Sequence, residues 1–251
     1  MSLVETERKG QTAVLRLNRP EKLNALNEQM RLELMAKLRG ANSDETVRCI
    51  VLTGEGKGFC VGADLDSINL DLGADLASTF HPLLNEIRFG PKLFISAVNG
   101  VAAGAGISLA LSADVRYCSR AARFITAFHK IGLAPDTGLS FLLPRLMPAG
   151  KAMELLLSGG EMDGEEASAL GLFRSVDDPV GEALKKASEL ADGPYLSYLQ
   201  SKRLINKSIF GESQSFLALE AEVQRNLGLS GDFEEGKKAF GEKRRPSFRG
   251  R

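Results

Sequence analysis

The order of apolar and polar positions divides the chain into two regions. In the first two-thirds, short apolar runs bounded by glycine, proline or polar residues recur between segments with helical spacing. An apolar run of that length with those boundaries is typical of a buried strand. The pattern predicts strands over residues 12–17, 48–53, 93–98, 114–119, 123–126 and 173–176.

Helical spacing separates these strands. Asn27 is suited to cap a helix whose apolar positions, Met30, Leu34 and Leu38, recur every four residues. The same criterion predicts helices over residues 75–88, 139–147, 151–157 and 161–170, with a loop at 132–138.

The last third of the chain, from residue 180 onward, is predicted to be almost entirely helical. Phe216, Leu219, Val223 and Leu227 recur at helical spacing and predict a stripe that faces the core. Strands that alternate with helices, followed by helices alone, predict an α/β core with a helical C-terminal region.

Composition narrows the class of protein. The chain has 251 residues, 43% of them hydrophobic and 25% charged, with a formal net charge of zero. This balance favours neither a nucleic-acid partner nor a membrane surface. Three cysteines without metal-ligand spacing indicate a reducing compartment, and no signal-peptide core or membrane-length apolar run is present. We therefore expect a cytoplasmic protein.

A small-residue segment at 99–110 follows the predicted strand at 93–98 and leads into a helix. Such a turn brings bare peptide N–H groups close to a ligand, at the positive end of a helix dipole. The alternative is a packing turn with no ligand. A second turn of the same kind lies at 61–65, and two convergent backbone donors suit a thioester oxygen that becomes an enolate.

Other local motifs do not match known sites. The glycines at 54–58 lack the spacing of a phosphate-binding loop, and Gly104-Ala-Gly lacks the third small residue of the dinucleotide fingerprint. Ser108 is not in a G-x-S-x-G motif. His81 and His129 are far apart in sequence, so we expect surface or packing roles for them rather than a zinc site or a catalytic triad.

Several sequence blocks carry a family resemblance. These are Asn-Arg-Pro-Glu-Lys-Leu-Asn-Ala-Leu at 18–26, Phe-Cys-Val-Gly-Ala-Asp-Leu at 59–65, Val-Asn-Gly-Val-Ala-Ala-Gly-Ala-Gly at 98–106 and the basic block at 234–248. Together, and in this order, they resemble the crotonase (enoyl-CoA hydratase/isomerase) superfamily over nearly the whole chain. The resemblance implies acyl-CoA thioester ligands and a fold of repeated β-β-α units over 1–195. It also implies a helical C-terminal region over 196–251 that forms a homotrimer or a dimer of trimers.

The resemblance also implies site residues. The two oxyanion donors fall on the peptide N–H groups of Ala63 and Ala105. Substrate contacts fall on the positions that match the family's CoA-binding and acyl-binding stretches, namely Lys22, Leu23, Val61, Asp64, Leu65, Gly106, Ser108, Phe128 and Lys243. For the basic run from residue 237 onward, a solvated tail is the alternative to a CoA-phosphate site.

The catalytic acids of the family's hydratases do not match. Their two glutamate positions fall on Ser108 and Phe128, neither of which is a carboxylic acid, so efficient hydration is not expected. Residues 130–145 resemble instead the ring-epoxide isomerases of phenylacetate breakdown and the Δ3,Δ2-enoyl-CoA isomerases. In those enzymes the acid at the Asp136 position shuttles a proton. The alternative from the residues alone is that Asp136 caps the helix that follows it.

These observations give a main hypothesis and two alternatives. The main hypothesis is an acyl-CoA isomerase in which Asp136 shuttles the proton, in a pocket lined by Phe128, Leu139 and Ile107. Proton transfer by an aspartate at this place needs no metal or redox cofactor, and coenzyme A is part of the substrate. The alternatives are a hydratase or hydrolase that positions water with Asp136 or Asp66, and an acyl-CoA-binding protein without catalysis.

Overall fold

The computed structural model describes residues 2–67 and 71–250. Its main sheet has six strands, in the order β1 (Val4–Lys9), β2 (Thr12–Leu17), β3 (Cys49–Gly54), β5 (Leu93–Val98), β7 (Val115–Ser119) and β10 (Arg174–Val176). The first two strands are antiparallel, and all the other neighbours are parallel.

A second sheet has four short strands, in the order β4 (Gly58–Cys60), β6 (Val101–Ala103), β8 (Arg123–Ile125) and β9 (Glu161–Asp163). Only its last pair is antiparallel. Along the chain, a strand of the main sheet is repeatedly followed by a strand of the second sheet and then by helix, which is the expected β-β-α repeat.

Helices cover both faces of the main sheet and form the C-terminal region. They are α1 (Glu28–Ser43), α2 (Leu72–Asp75), α3 (His81–Arg88), α4 (Ala105–Leu111), α5 (Leu139–Leu146), α6 (Ala149–Ser158), α7 (Gly164–Ala169), α8 (Pro179–Asp192), α9 (Tyr195–Phe210), α10 (Ser213–Gly228) and α11 (Gly231–Gly241). A π-helical turn, Leu76–Phe80, joins α2 to α3. Short 3-10 turns lie at Pro20–Lys22, Leu65–Ser67 and Phe128–Ile131.

The main sheet is buried on both faces. In β3, Ile50 and Leu52 face the large core cluster, whereas Cys49 and Val51 pack against the small side chains of α8. A parallel strand that is covered on both sides is expected to be apolar throughout, and this explains the uninterrupted apolar runs in the sequence. All three cysteines are free and buried.

Most predicted elements are confirmed, and the misses have physical causes. The six predicted strands appear within about two residues of their expected bounds. β1 was not predicted, because an edge strand with one buried residue out of six shows no apolar run. The helix expected from residue 161 begins at Gly164, since residues 161–163 pair with β8 instead.

The apolar stripe predicted for the C-terminal region is wrong for two of its four positions. Leu219 is 56% exposed and Val223 is 39% exposed, while Phe216 and Leu227 are half-buried. The buried face of α10 instead carries Ser213, Leu217, Glu220, Ala221 and Gln224. The helix therefore presents polar side chains to the core, and the reason lies in the site described below.

Among the described residues, no helix combines the length and hydropathy needed to cross a membrane.

Candidate active site

Two glycine turns lie against each other where β4 and β6 end. Gly62 has φ of +85°, and Gly104 has φ of +50° and ψ of −124°, a conformation open to glycine alone. A Cβ on Gly62 would lie 2.8 Å from the Ala103 oxygen and 3.2 Å from the Ala105 nitrogen. The missing side chain is therefore what lets the two turns approach.

Each turn presents an unused peptide N–H. In the first turn, Leu26 forms backbone hydrogen bonds with the residues on either side of Ala63. Leu26 N–H donates to Gly62 O (2.7 Å), and Asp64 N–H donates to Leu26 O (3.2 Å). Ala105 is the first residue of α4, where peptide N–H groups have no intrahelical acceptor. In the part of the chain that the structure describes, neither Ala63 N–H nor Ala105 N–H donates a hydrogen bond.

Asp136 lies in the loop before α5, and both of its carboxylate oxygens accept hydrogen bonds. Gln224 Nε2 donates to Oδ2 at 2.7 Å, and the hydroxyl of Thr137 donates to Oδ1 at 3.0 Å. Burial, followed by the nearby charge of Glu220, raises the pKa of Asp136 to about 7. A carboxyl group with this pKa exchanges protons readily near neutral pH.

Asp136 does not cap the helix that follows it. The N-cap residue of α5 is Gly138, in the left-handed region, and no side chain bonds to the first turn. Thr137 also has a left-handed φ, +51°, which is costly for a β-branched residue. These two positive φ values turn the loop so that the Asp136 carboxylate faces α10 instead of its own helix.

The polar face of α10 holds this loop. Glu220 accepts hydrogen bonds from Gly138 N–H at 2.9 and 3.1 Å, and His81 Nε2 lies 2.9 Å from Glu220 Oε1. Sequence reasoning missed Glu220 and Gln224. His81 is buried against Glu220, which agrees with the packing role expected for it as one of two possibilities. The available signal was two polar residues four positions apart, on the helix face next to that of Leu219 and Val223.

The two positions that match the hydratase acids, Ser108 and Phe128, lie next to the Asp136 loop and the Gly104 turn, respectively. Ser108 is fully buried, and its hydroxyl is 3.4 Å from the backbone oxygen of Asp136. The Phe128 ring lies over the Gly104 turn, where a Cβ on the glycine would be 3.4 Å from its Cζ. Ile107 and Leu139, expected to line the pocket, are buried.

Gly106 has a packing role in the structure. It faces the Cys60 carbonyl so closely that no side chain would fit.

Five of the residues that match the family's CoA-binding stretches lie on or next to the 61–65 turn. Lys22 Nζ bonds to Asp66 Oδ2 at 2.9 Å, and Val61 N–H donates to Leu23 O at 3.2 Å. Asp64 is buried and paired with Arg19, and Leu65 begins a 3-10 turn.

Lys243 lies apart from the 61–65 turn in sequence and in its contacts. It lines a cavity of about 570 Å³ with His129, Lys130 and the end of α11. A larger cleft of about 1020 Å³ between α3 and α9 contains none of the predicted site residues. Across residues 2–67 and 71–250, no three His, Cys, Asp or Glu side chains are grouped to hold a metal ion.

Comparison with known proteins adds relatives that resemble the chain over nearly its full length. Residues 7–251 match the family model described as enoyl-CoA hydratase/isomerase. The chain is 40% identical to the 1,2-epoxyphenylacetyl-CoA isomerase of Escherichia coli K12, with 94% of each chain covered. It is 42% identical to a probable enoyl-CoA hydratase of Rhodobacter capsulatus, with 95% of each covered.

The fold is also similar to solved structures. The crystal structure of an enoyl-CoA hydratase from Mycobacterium avium subsp. paratuberculosis superposes with a TM-score of 0.90 at 30% identity, covering 99% of each chain.

Proposed function

The chain belongs to the enoyl-CoA hydratase/isomerase family of enzymes, and on that premise we propose that it is an acyl-CoA isomerase. The reaction is a double-bond shift. It converts either a 3-enoyl-CoA to a 2-enoyl-CoA or the ring epoxide of phenylacetyl-CoA to its oxepin isomer. The observation that carries the proposal is Asp136. Asp136 is a carboxylic acid in the loop that contacts Ser108, and Ser108 and Phe128 are the two positions where the family's hydratases have acids and this chain has none.

In the proposed reaction, Asp136 moves one proton. Its carboxylate removes a proton from the α-carbon of a 3-enoyl thioester, and the C–H electron pair becomes the π system of a dienolate. The carboxyl group then returns the proton to the γ-carbon, and the double bond ends between the α- and β-carbons. The pKa of about 7 supports both steps, because the group is a usable base and a usable acid at the same pH.

The dienolate oxygen is proposed to accept hydrogen bonds from Ala63 N–H and Ala105 N–H. The support is that both N–H groups are unused by the described residues and lie on turns that contact each other. A donor of this kind is typically worth about 100- to 1000-fold in rate. Lys22, Leu23, Val61, Asp64 and Leu65 are proposed to hold the CoA portion, together with Lys243. The steps are proton transfers, so no redox or metal cofactor is proposed, and coenzyme A arrives with the substrate.

The direct test uses a 3-enoyl-CoA and follows conjugation of the double bond by absorbance. We expect turnover by the native protein and a loss of about 100- to 10,000-fold in Asp136→Asn, because the proton carrier is removed. Asp177→Asn is the matched control, since this side chain is 88% exposed and bonds only to Arg120 on the surface among the described contacts. Equal activity in Asp136→Asn and the control contradicts the assignment of Asp136.

Product analysis separates the alternatives. The Rhodobacter capsulatus relative named as a probable hydratase favours hydration as the second candidate. Hydration of crotonyl-CoA at a rate similar to isomerisation would support it, and release of free CoA would support a hydrolase. Binding of acyl-CoA without any turnover would support the non-catalytic alternative. Comparing a ring-epoxide thioester with a straight-chain 3-enoyl-CoA distinguishes the two forms of the isomerase.

Assembly and location are proposed from the resemblance. A homotrimer or a dimer of trimers is supported by exposed apolar side chains in the C-terminal region, namely Leu204, Leu219, Leu229 and Phe240. Sedimentation of the purified protein tests the stoichiometry. A cytoplasmic location is supported by three buried thiols without a disulfide.

A further inference from the structure

The face of α10 that packs on the core carries two polar side chains where apolar ones are expected. Gln224 is fully buried and Glu220 is 5% exposed. Buried polar groups are costly unless they are hydrogen-bonded, so each requires a partner. Both find partners within three consecutive residues, Asp136 to Gly138.

The two contacts act on different parts of that loop. Gln224 bonds directly to the carboxylate of Asp136, and Glu220 bonds to the backbone N–H of Gly138 two residues later. The positions are four apart on one helix, so their side chains are neighbours on the same face. The loop is thus held both at the Asp136 carboxylate and at Gly138, where it joins α5.

Gln224 is poorly explained by stability alone. Its amide nitrogen donates to Asp136, but its amide oxygen is buried and has no partner among the described residues. Leaving a buried acceptor unpaired is unfavourable, whereas an apolar side chain of similar size would avoid that cost. The bond to Asp136 is the interaction that an apolar side chain at this position could not supply.

We infer that Gln224 and Glu220 are positioning residues for Asp136, Gln224 by fixing the carboxylate and Glu220 by fixing the loop. The inference rests on the proposed function of Asp136 as the proton carrier. It makes α10, in the C-terminal region, part of the machinery that sets the acid's orientation and proton affinity.

The two residues act on that proton affinity in opposite directions. Donation from Gln224 stabilises the carboxylate and lowers the pKa of Asp136, whereas the charge of Glu220 raises it. Among the described residues, other ionisable groups near this site are Asp75 from α2, which also raises the pKa, and His81 from α3, which contacts Glu220. Asp75 is itself paired with Arg31.

Two substitutions therefore have opposite expected effects. Gln224→Met removes the donor while keeping the side-chain length, and we expect the pKa of Asp136 to rise by about one unit, a tenfold change in proton affinity. Glu220→Gln removes the charge but keeps an oxygen for Gly138 N–H, and we expect the pKa to fall. Gln214→Met is the control, because Gln214 is an exposed residue of the same helix.

The first measurement needs no turnover. A ¹³C-aspartate NMR titration, with the Asp136 signal assigned by its absence in Asp136→Asn, reports the proton affinity of Asp136 in the free protein. Opposite shifts in Gln224→Met and Glu220→Gln, with none in Gln214→Met, support the inference even if the substrate proposal fails. An unchanged Asp136 titration in a folded Gln224→Met protein overturns it.

The second measurement uses the isomerase assay. In Gln224→Met we expect kcat to fall about tenfold with little change in KM, and the acidic limb of the pH–rate profile to move with the NMR value. A lower melting temperature with an unmoved pH limb would assign Gln224 a packing role and contradict the inference. If Glu220→Gln does not fold, the result from Gln224→Met alone decides.

Discussion

The two halves of the candidate site are built in different ways. The oxyanion half consists of backbone N–H groups on two glycine turns that touch through Gly62 and Ala105. The acid half consists of one side chain, Asp136, held by a residue 88 positions later in the chain. The first half depends on local backbone shape, and the second depends on where the C-terminal region packs.

This difference explains what each half tolerates. The identity of the side chain at positions 63 and 105 has little direct effect on a backbone donor, so long as the N–H remains and the turn keeps its shape. The acid half has no such latitude, because the proton affinity of Asp136 responds to burial, to Glu220 and to each hydrogen bond. Substitutions in the oxyanion half should therefore change the rate through loss of an N–H or of turn shape, whereas substitutions in the acid half should also change the pH dependence.

Among the changes that leave the Asp136 side chain in place, the largest expected effect comes from removing the peptide N–H of Ala105. Proline is well accommodated at the first position of a helix, which Ala105 occupies, and it has no N–H. We expect Ala105→Pro to lower kcat by about 100- to 1000-fold. Ala105→Gly keeps the N–H and should lose far less. Comparable rates in the two variants, with both folded by circular dichroism, would remove Ala105 from the oxyanion site.

The next effect concerns contact between the two turns. Gly62→Ala combines a positive φ with a Cβ 2.8 Å from the Ala103 oxygen, so we expect a loss of about 1–3 kcal/mol in unfolding free energy. Gly10→Ala is the matched control, because Gly10 has φ of +58° and nothing within 4 Å of the added atom. Chemical denaturation measures both. Equal losses would show that the backbone angle, and not the contact, limits substitution at Gly62.

A smaller effect links Asp136 to stability. Its pKa is raised from 3.8 to about 7, so the protonated form stabilises the fold below about pH 4, and this contribution is lost as pH rises towards 7. The Asp136→Asn protein has no carboxyl group to ionise at this position, so it does not lose this stability as the pH rises. We expect it to melt about 2–4 °C above the native protein at pH 8, or about 1 kcal/mol, with the gain shrinking towards pH 4. A gain that is constant with pH would contradict burial of a titrating carboxyl group.

The smallest expected effect comes from the hydroxyl next to Asp136. Thr137→Val keeps the side-chain shape but removes the donor to Oδ1, so the pKa of Asp136 should rise slightly. We expect a rate loss of about threefold below pH 7, in line with ~0.5–1.5 kcal/mol for one hydrogen bond. Thr137→Ser retains the hydroxyl, and its pH–rate profile should match the native one more closely. A larger loss in the serine variant would point to backbone strain at this residue.

Sequence reasoning was most successful where structure follows from local pattern. The buried parallel strands, the cap at Asn27 and the two small-residue turns were all predicted, and the Asn27 side chain accepts from Met30 N–H as expected. It was least successful on α10. There, apolar Leu219 and Val223 suggested the buried face, but Glu220 and Gln224 occupy it.

By itself, the sequence determined the α/β core, the family, and that Ser108 and Phe128 replace the acids expected of a hydratase while an acid remains at Asp136. Only the tertiary structure decided that Asp136 does not cap α5, that its carboxylate faces Gln224, and that Gly62 and Ala105 meet. The physical reason is the separation in sequence over which each interaction acts. Strand, turn and cap signals act over a few residues, whereas the orientation and pKa of the Asp136 carboxyl group depend on groups that packing alone brings within hydrogen-bond distance.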